Sequence, residues 1–135
     1  MGKPRLPSKV CFVPADGGDP VDVLAAKAKK VYLATGFNDR IAEGDFAALK
    51  IHFGEAGNTG YIKPAWLSGL IWEIRTKTKH AFLTDSNTLY LGGRSNAVDH
   101  LWAAARHGFT YPVVNAPMGW RTASPARMRW RSRST

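Results

Sequence analysis

The chain alternates short apolar runs with amphipathic segments, and this alternation constrains the fold more than any other feature. The apolar runs have the length of strands, and the segments between them repeat apolar residues at helical spacing. Strands that alternate with single helices are typical of crossover units, in which consecutive strands lie parallel. The sequence therefore predicts a mostly parallel, open α/β sheet in the order β-α-β-α-β-α-β. The predicted strands cover residues 9–14, 47–53, 80–84 and 111–116, and the predicted helices cover residues 20–34, 64–77 and 95–107.

Start and stop signals support these helices. Asp19 can cap the first helix, Pro20 suits its first position, and Gly36 can end it. Ser95 is a suitable N-cap for the third helix, and Gly108 fits the left-handed position that follows it. The spacing of apolar residues predicts two buried helix faces. These are Trp66, Leu67, Leu70, Ile71 and Ile74 in the second helix, and Ala97, Val98, Leu101, Trp102 and Ala105 in the third.

Length and composition fit one domain with a packed core. The chain has 135 residues, of which 44% are hydrophobic, so a single core is expected. Its one cysteine, Cys11, allows no internal disulfide, and a reducing cytoplasm is the simplest setting. The basic N-terminus lacks the apolar run of a signal peptide, and no segment approaches the roughly 20 apolar residues that span a bilayer. We therefore expect a cytoplasmic protein that makes no membrane contact.

The net charge of +9 is concentrated at one end of the chain. Residues 118–135 hold five arginines and no acidic residue, whereas the first 117 residues hold 14 Lys and Arg against 10 Asp and Glu. A basic arm that binds phosphates is one interpretation. The preferred one is an irregular terminal tail over residues 119–135, because this segment has neither helical nor strand periodicity. Nucleic acid is therefore not the expected partner.

Polar side chains are concentrated in two segments that follow predicted strands. The first is "HFGEAGNTGYIKP" at residues 52–64, and the second is "TDSNTLYLGGRSN" at residues 84–96. Ligands of open parallel sheets gather outside the carboxyl ends of the strands, where the crossover rule places these loops together. We therefore expect the two loops to converge on a polar pocket.

The residue types in these loops suit a polar ligand. Glycines let the backbone approach a ligand closely, and exposed N–H groups favour an anion. The predicted ligand-binding residues are Gly54, Gly57, Asn58, Thr59, Tyr61, Lys63, Thr84, Asn87, Thr88, Tyr90, Arg94 and Asn96. The candidates for acid–base or cation-binding roles are His52, Glu55 and Asp85.

Each of these residues also has a structural explanation. His52 lies in the predicted second strand and is equally compatible with a buried, hydrogen-bonded core imidazole, and Asp85 can cap backbone amides. The glycines and asparagines suit ordinary turns. His100 is expected to be a surface or packing residue. The His52-x-x-Glu55 spacing is weak evidence for a metal site, and the chain contains no phosphate-binding loop, dinucleotide fingerprint or serine-hydrolase elbow.

The runs "KIHFGEAGNTGYIKP" and "HAFLTDSNTLYLGGRSNAVDHLWAAARHGFT" closely resemble the family known as domain of unknown function 362. The resemblance covers about residues 8–117. It implies an iron–sulfur or ferredoxin-associated protein, because a four-iron, four-sulfur ferredoxin module often follows this domain in the family. The chain departs from the family pattern after about residue 118, which implies an incomplete domain over residues 1–118 followed by the basic tail. With Cys11 alone, it is expected to hold no cluster itself.

Three functions follow from these observations. The first is the polar-ligand-binding half of a redox-related protein, with an iron–sulfur cluster only in full-length relatives and with a possible redox partner. The second is a metal-dependent or acid–base enzyme domain for a small molecule. The third is nucleic-acid binding through the arginine tail. The sequence does not decide whether the chain is an enzyme.

Overall fold

A computed structural model of the chain describes residues 9–119. Its elements are α1 (Val21–Ala34), β1 (Phe46–Lys50), α2 (Ser68–Arg75), β2 (His80–Thr84), α3 (Ala97–Arg106) and the single turn α4 (Tyr111–Val114). Two 3₁₀ turns, Phe37–Arg40 and Pro64–Leu67, precede β1 and α2. The predicted tail at residues 119–135 lies outside the described residues, apart from Gly119.

The described sheet is small, open and parallel. β1 pairs with β2 from Phe46 opposite His80 to Lys50 opposite Thr84. On the other side of β2, Met118 forms an isolated parallel bridge with Leu83, and Gly119 N–H donates to the Leu83 carbonyl at 2.8 Å. The predicted fold class is therefore confirmed as a mixed helix and strand structure with a parallel sheet.

Two of the four predicted strands are wrong. Residues 9–14 form no regular structure, and Val10 and Phe12 are 86% and 81% exposed, so the apolar run has no neighbouring strand to cover it. Residues 111–114 form the turn α4 instead of a strand. Pro112 takes a position in the first turn, where its missing N–H costs no hydrogen bond. The chain rejoins the sheet a few residues later, at Met118.

The three predicted helices are present, although their ends differ in detail. α1 begins after Pro20, and Asp19 does not cap it. The Asp19 carboxylate instead accepts from Lys27 Nζ at 2.5 Å and from the Asp16 N–H at 2.8 Å. Asn96, not Ser95, is the N-cap of α3, and its Oδ1 accepts the Asp99 N–H at 3.0 Å. Gly36 and Gly108 adopt the predicted left-handed conformation, with φ of 71° and 86°.

The core lies where α2, α3 and α4 meet β2. Phe53, just beyond β1, is fully buried and packs edge-on against Phe109 at 4.9 Å between ring centroids. The main buried residues of the core are Phe53, Leu67, Ile71, Leu83, Ala104, Phe109, Val114 and Ala116. Burial of large apolar side chains contributes roughly 1.5–3 kcal/mol each. Phe53 lies in the first polar loop and Leu83 just before the second, so the core holds the start of both loops.

The predicted inward face of α3 is wrong by about one helix position. Val98 and Trp102 are mostly exposed, whereas His100 and Ala104 are fully buried. Compared with the prediction, α3 is rotated about its axis so that His100 faces inward. There His100 joins a buried polar cluster, which is described below. In the second predicted helix, Leu67, Ile71 and Ile74 of the inward face are buried as expected.

No helix among residues 9–119 combines the length and the apolar character needed to cross a membrane.

Candidate functional site

The two polar loops meet at the side chain of Arg94. Its Nη1 lies 2.6 Å from His52 Nε2 and donates to Glu55 Oε1 at 2.9 Å, and both partners belong to the first loop. Its Nη2 donates to Asp85 Oδ2 at 3.3 Å, and its Nε donates to His100 Nε2 at 3.3 Å. We call these five residues the Arg94 cluster. The Arg94 side chain is only 9% exposed, so the guanidinium at the centre of the cluster is largely shielded from water.

His52 lies at the exposed side of this cluster. It follows the end of β1, and its Nδ1 accepts the Gly54 N–H at 2.9 Å. Its surface is exposed, so the interpretation of His52 as a buried core imidazole is wrong. Gly54 is in the left-handed conformation, with φ of 86°, and the His52 ring reaches Arg94 of the second loop.

Asp85 is the buried anion of the site. Its side chain is 2% exposed, and it accepts from Lys50 Nζ at 2.9 Å and from the Ser86 N–H at 2.8 Å. Burial acts to raise the pKa of the Asp85 carboxyl, but the hydrogen bonds from Lys50 and Ser86 and the charges of Lys50 and Arg94 outweigh it and lower the pKa. Asp85 therefore stays ionised, and its carboxylate holds the Arg94 guanidinium in place from the buried side of the cluster.

His100 was not among the candidate residues, yet it belongs to the Arg94 cluster. Its Nδ1 lies 3.2 Å from Asn87 Oδ1, and its Nε2 lies 3.4 Å from Asp85 Oδ2. Burial lowers the pKa of His100, so the neutral ring is favoured. A signal was present in the sequence: Ala97, His100 and Ala104 form an alternative helical stripe of small residues around one histidine.

Glu55 and Tyr90 form a hydrogen-bonded pair across the loops. The Tyr90 hydroxyl donates a short hydrogen bond to Glu55 Oε1, the same oxygen that Arg94 contacts. The bond from Tyr90, helped by Arg94, lowers the pKa of Glu55, and the same bond raises the pKa of Tyr90. Glu55 is thus an ionised carboxylate held by two donors.

The rest of the first loop packs on itself and on the end of α3, away from Arg94. Asn58 Oδ1 accepts the Gly60 N–H at 2.7 Å, and Lys63 Nζ donates to the Thr59 carbonyl at 2.6 Å. The Tyr61 ring stacks on His107, with the centroids 4.4 Å apart. Gly57, with φ of 79°, is exposed and makes the turn between these parts.

Several predicted residues of the second loop have structural roles. The Thr84 carbonyl accepts the Ile51 N–H at 3.0 Å and so extends the sheet pairing. Thr88 closes the loop, because its N–H donates to the Arg94 carbonyl at 2.9 Å and its hydroxyl donates to the Tyr90 carbonyl at 3.2 Å. Asn96 caps α3.

A cleft of about 490 Å³ opens beside the Arg94 cluster, between the two loops and α3. The two loops contribute Glu55, Tyr90 and Arg94 to its lining. α3 contributes Trp102, which is 62% exposed, and Arg106 one turn further along the helix. The complete lining is Glu55, Ala56, Tyr90, Leu91, Gly92, Gly93, Arg94, Asp99, Trp102, Ala103, Arg106 and His107. The sequence prediction misses the contribution of α3 to this cleft, because it places Trp102 in the core.

The Arg94 cluster is rich in side chains that bind metals in other proteins. Within residues 9–119, however, no three or more His, Cys, Asp or Glu are placed to hold a metal ion. The physical reason lies in the contacts above: the guanidinium of Arg94 stands between His52, Glu55, Asp85 and His100 and already satisfies them.

The fold and the cleft define the chain as a mixed helix and strand protein with a parallel sheet and a polar cleft beside the loops that follow its strands. A family model described as domain of unknown function (DUF362) matches residues 47–132. The match covers more than half of the chain, and the chain belongs to this family, which confirms the resemblance. No curated protein and no solved structure matches the chain.

The cluster predicts a specific response to acid. Folded-state pKa values are lowered for His100 by burial, for Asp85 by its hydrogen bonds and for Glu55 by Tyr90. A lowered pKa contributes stability that is complete above the unfolded pKa and is lost as the pH falls through the folded one. We expect the free energy of unfolding to fall first below about pH 6.5, as His100 titrates, and again below about pH 4, as the carboxylates do.

Urea unfolding at a series of pH values measures both steps. In the variant His100→Gln, the step below about pH 6.5 should shrink, at about 1.4 kcal/mol for each unit by which the pKa is lowered. His80, which lies in β2 outside the Arg94 cluster, provides the control variant His80→Gln, which should retain that step. An unchanged slope in His100→Gln would assign the step to another group.

Proposed function

We propose that the chain is a small-molecule-binding domain whose cleft takes a polar, anionic ligand. The observation that carries this proposal is the presence of two arginines, Arg94 and Arg106, in the lining of one cleft. Arginine is the side chain best suited to carboxylates and phosphates, because its planar fork can donate two hydrogen bonds in parallel.

The buried partners of Arg94 support a binding role. A guanidinium that is only 9% exposed is positioned by Asp85 and His100 and has little freedom to move away from a ligand. A preorganised donor loses little conformational entropy when a ligand arrives, which favours affinity. His52 and Lys50 add further donors at the edge of the cluster.

A link to redox chemistry follows from the family resemblance. A cluster of the four-iron type takes several thiolates, and Cys11 is the one cysteine of the chain. The residues present therefore do not fit a cluster, and we propose that any cluster is carried by a redox partner or by a separate module. The lone free thiol of Cys11 also supports our proposal of a cytoplasmic location.

The proposal is tested by titrating the labelled protein with inorganic phosphate, acetate and succinate and recording two-dimensional NMR spectra. We expect amide shifts at residues 54–56 and 90–94, with saturation by at least one of the anions. The variant Arg106→Ala should weaken that binding about three- to fivefold, as expected for the loss of a solvent-exposed charge contact.

Arg40→Ala is the matched control, because Arg40 is also exposed but lies in the 3₁₀ turn before β1, outside the cleft. Its binding should equal that of the unaltered protein. Spectra in which no anion shifts the cleft amides, or in which both variants bind equally, would contradict an anion-binding cleft.

A further inference from the structure

Glu55 places a carboxylate against the best donors of the cleft. Its Oε1 accepts from Arg94 Nη1 at 2.9 Å and also from the Tyr90 hydroxyl. The side chain of Glu55 is nevertheless 45% exposed, at the edge of the cleft. An anion thus already occupies the position where an anionic ligand would find its donors.

His52 contacts the same guanidinium nitrogen as Glu55. Its Nδ1 accepts the Gly54 N–H at 2.9 Å, and its Nε2 lies 2.6 Å from Arg94 Nη1, the nitrogen that donates to Glu55 Oε1. A ligand oxyanion that replaced Glu55 would therefore take a donor that His52 and the buried partners of Arg94 hold in position.

The cleft also has an apolar part. Trp102 and Leu91 line the same cleft and are largely exposed to water. A tryptophan face in a cleft is suited to a planar ring, because stacked rings gain more than the burial of their area alone. The cleft therefore combines donors for one oxyanion with an apolar surface for the remainder of the molecule.

We propose that the Glu55 carboxylate holds the place of a ligand carboxylate, and that the cleft takes an aromatic carboxylic acid that displaces Glu55 from Tyr90 and Arg94. This inference rests on the proposed function and narrows it to one class of ligand. A carboxylate is the group of choice because the donors already hold a carboxylate, and the ring of the ligand lies against Trp102.

Glu55 is suited to such an exchange, and Asp85 is not. The Asp85 side chain is 2% exposed and is also bound by Lys50, whereas Glu55 stands at the cleft edge and is followed by the exposed turn at Gly57. When Glu55 is displaced, its carboxylate moves from a half-exposed position into water, where its charge is fully hydrated. Competition by an internal carboxylate reduces the fraction of molecules ready to bind, and removal of its charge restores that fraction.

The experiment compares phenylacetate and inorganic phosphate as probes of three proteins: the unaltered chain, Glu55→Gln and Asp99→Asn. Asp99 is the matched control, because it carries the same charge on the same cleft without a contact to Arg94 among those described. Binding is followed by NMR, through the Trp102 indole N–H and the amides of residues 90–94. We expect phenylacetate to bind Glu55→Gln about tenfold more tightly than the unaltered chain, and Asp99→Asn to change affinity less than twofold.

Four results would contradict part or all of this proposal. Equal gains in Glu55→Gln and Asp99→Asn would show a general charge effect and overturn the placeholder role. Phosphate binding without phenylacetate binding would overturn the aromatic acid while leaving the anion-binding cleft intact. If neither probe binds any of the three proteins, the proposed function itself fails. Phenylacetate binding that leaves the Trp102 indole signal unmoved would place its ring elsewhere and contradict the inference.

Discussion

Replacement of Arg94 by alanine is expected to lower the free energy of unfolding by about 3 kcal/mol or more. The change removes one partner of a buried ion pair and leaves Asp85, 2% exposed, with Lys50 as its remaining cation. Breaking a buried pair in this way typically costs about 3–5 kcal/mol, because the remaining charge is desolvated without full compensation. The acceptor atoms of His100 and Glu55 also lose a donor. Urea unfolding monitored by circular dichroism measures the loss.

Arg106→Ala is the matched control for this prediction, since Arg106 is an exposed arginine beside the same cleft. Its loss should change stability by no more than about 0.5 kcal/mol. The double variant Arg94→Ala/Asp85→Asn should recover part of the lost stability, because it removes the uncompensated charge. A loss below about 1 kcal/mol in Arg94→Ala would show that the cluster contributes little to folding.

Replacement of Gly54 by alanine is expected to lower the free energy of unfolding by about 2–5 kcal/mol. With φ of 86°, alanine at this position pays the left-handed penalty of roughly 1–2 kcal/mol. Its methyl group would also lie 2.7 Å from His107 Nδ1 and 2.9 Å from Tyr61 Cδ1. Overpacking of this kind adds roughly 1–3 kcal/mol, and the stacked pair of Tyr61 and His107 would have to separate.

Gly57→Ala separates the two contributions. Gly57 has nearly the same backbone conformation, with φ of 79°, but no atom within 4 Å of an added methyl group. It should therefore lose only the backbone term, about 1–2 kcal/mol. Thermal or urea unfolding of the two variants side by side gives the difference. Equal losses of stability in the two variants would mean that His107 and Tyr61 move away from the added methyl group without a cost in free energy.

The sequence predicted the helices better than the strands, for a physical reason. Helical spacing is a local signal that also carries its own end markers, such as Gly36 and Gly108, both of which the structure confirms. A strand is stabilised by its neighbours, and the apolar run at residues 9–14 has none in the described structure. At residues 111–114, the proline that a strand tolerates poorly instead begins a helical turn.

The same reasoning explains which residues of the candidate site the sequence predicts correctly and which it does not. The topological rule brought the loops at residues 52–64 and 84–96 together, and His52, Glu55, Asp85 and Arg94 do meet. The rule does not say which way each side chain points, so Asn58 and Thr59 were expected in the pocket although they stay within their own turn. Their role in ligand binding, like that of the other candidate residues, remains a prediction.

The bridge between Leu83 and Met118 has a consequence for how the chain acquires its structure during synthesis. β2 has β1 on one side and the segment at Met118 on the other, so its two neighbours come from opposite directions along the chain. As the ribosome releases the polypeptide from its N-terminus, β1 and β2 can pair early, but the far edge of β2 waits until Met118 and Gly119 have emerged. Until then, the Leu83 N–H and carbonyl, which later bond to Pro117 and Gly119, form an open edge that can pair with another nascent chain.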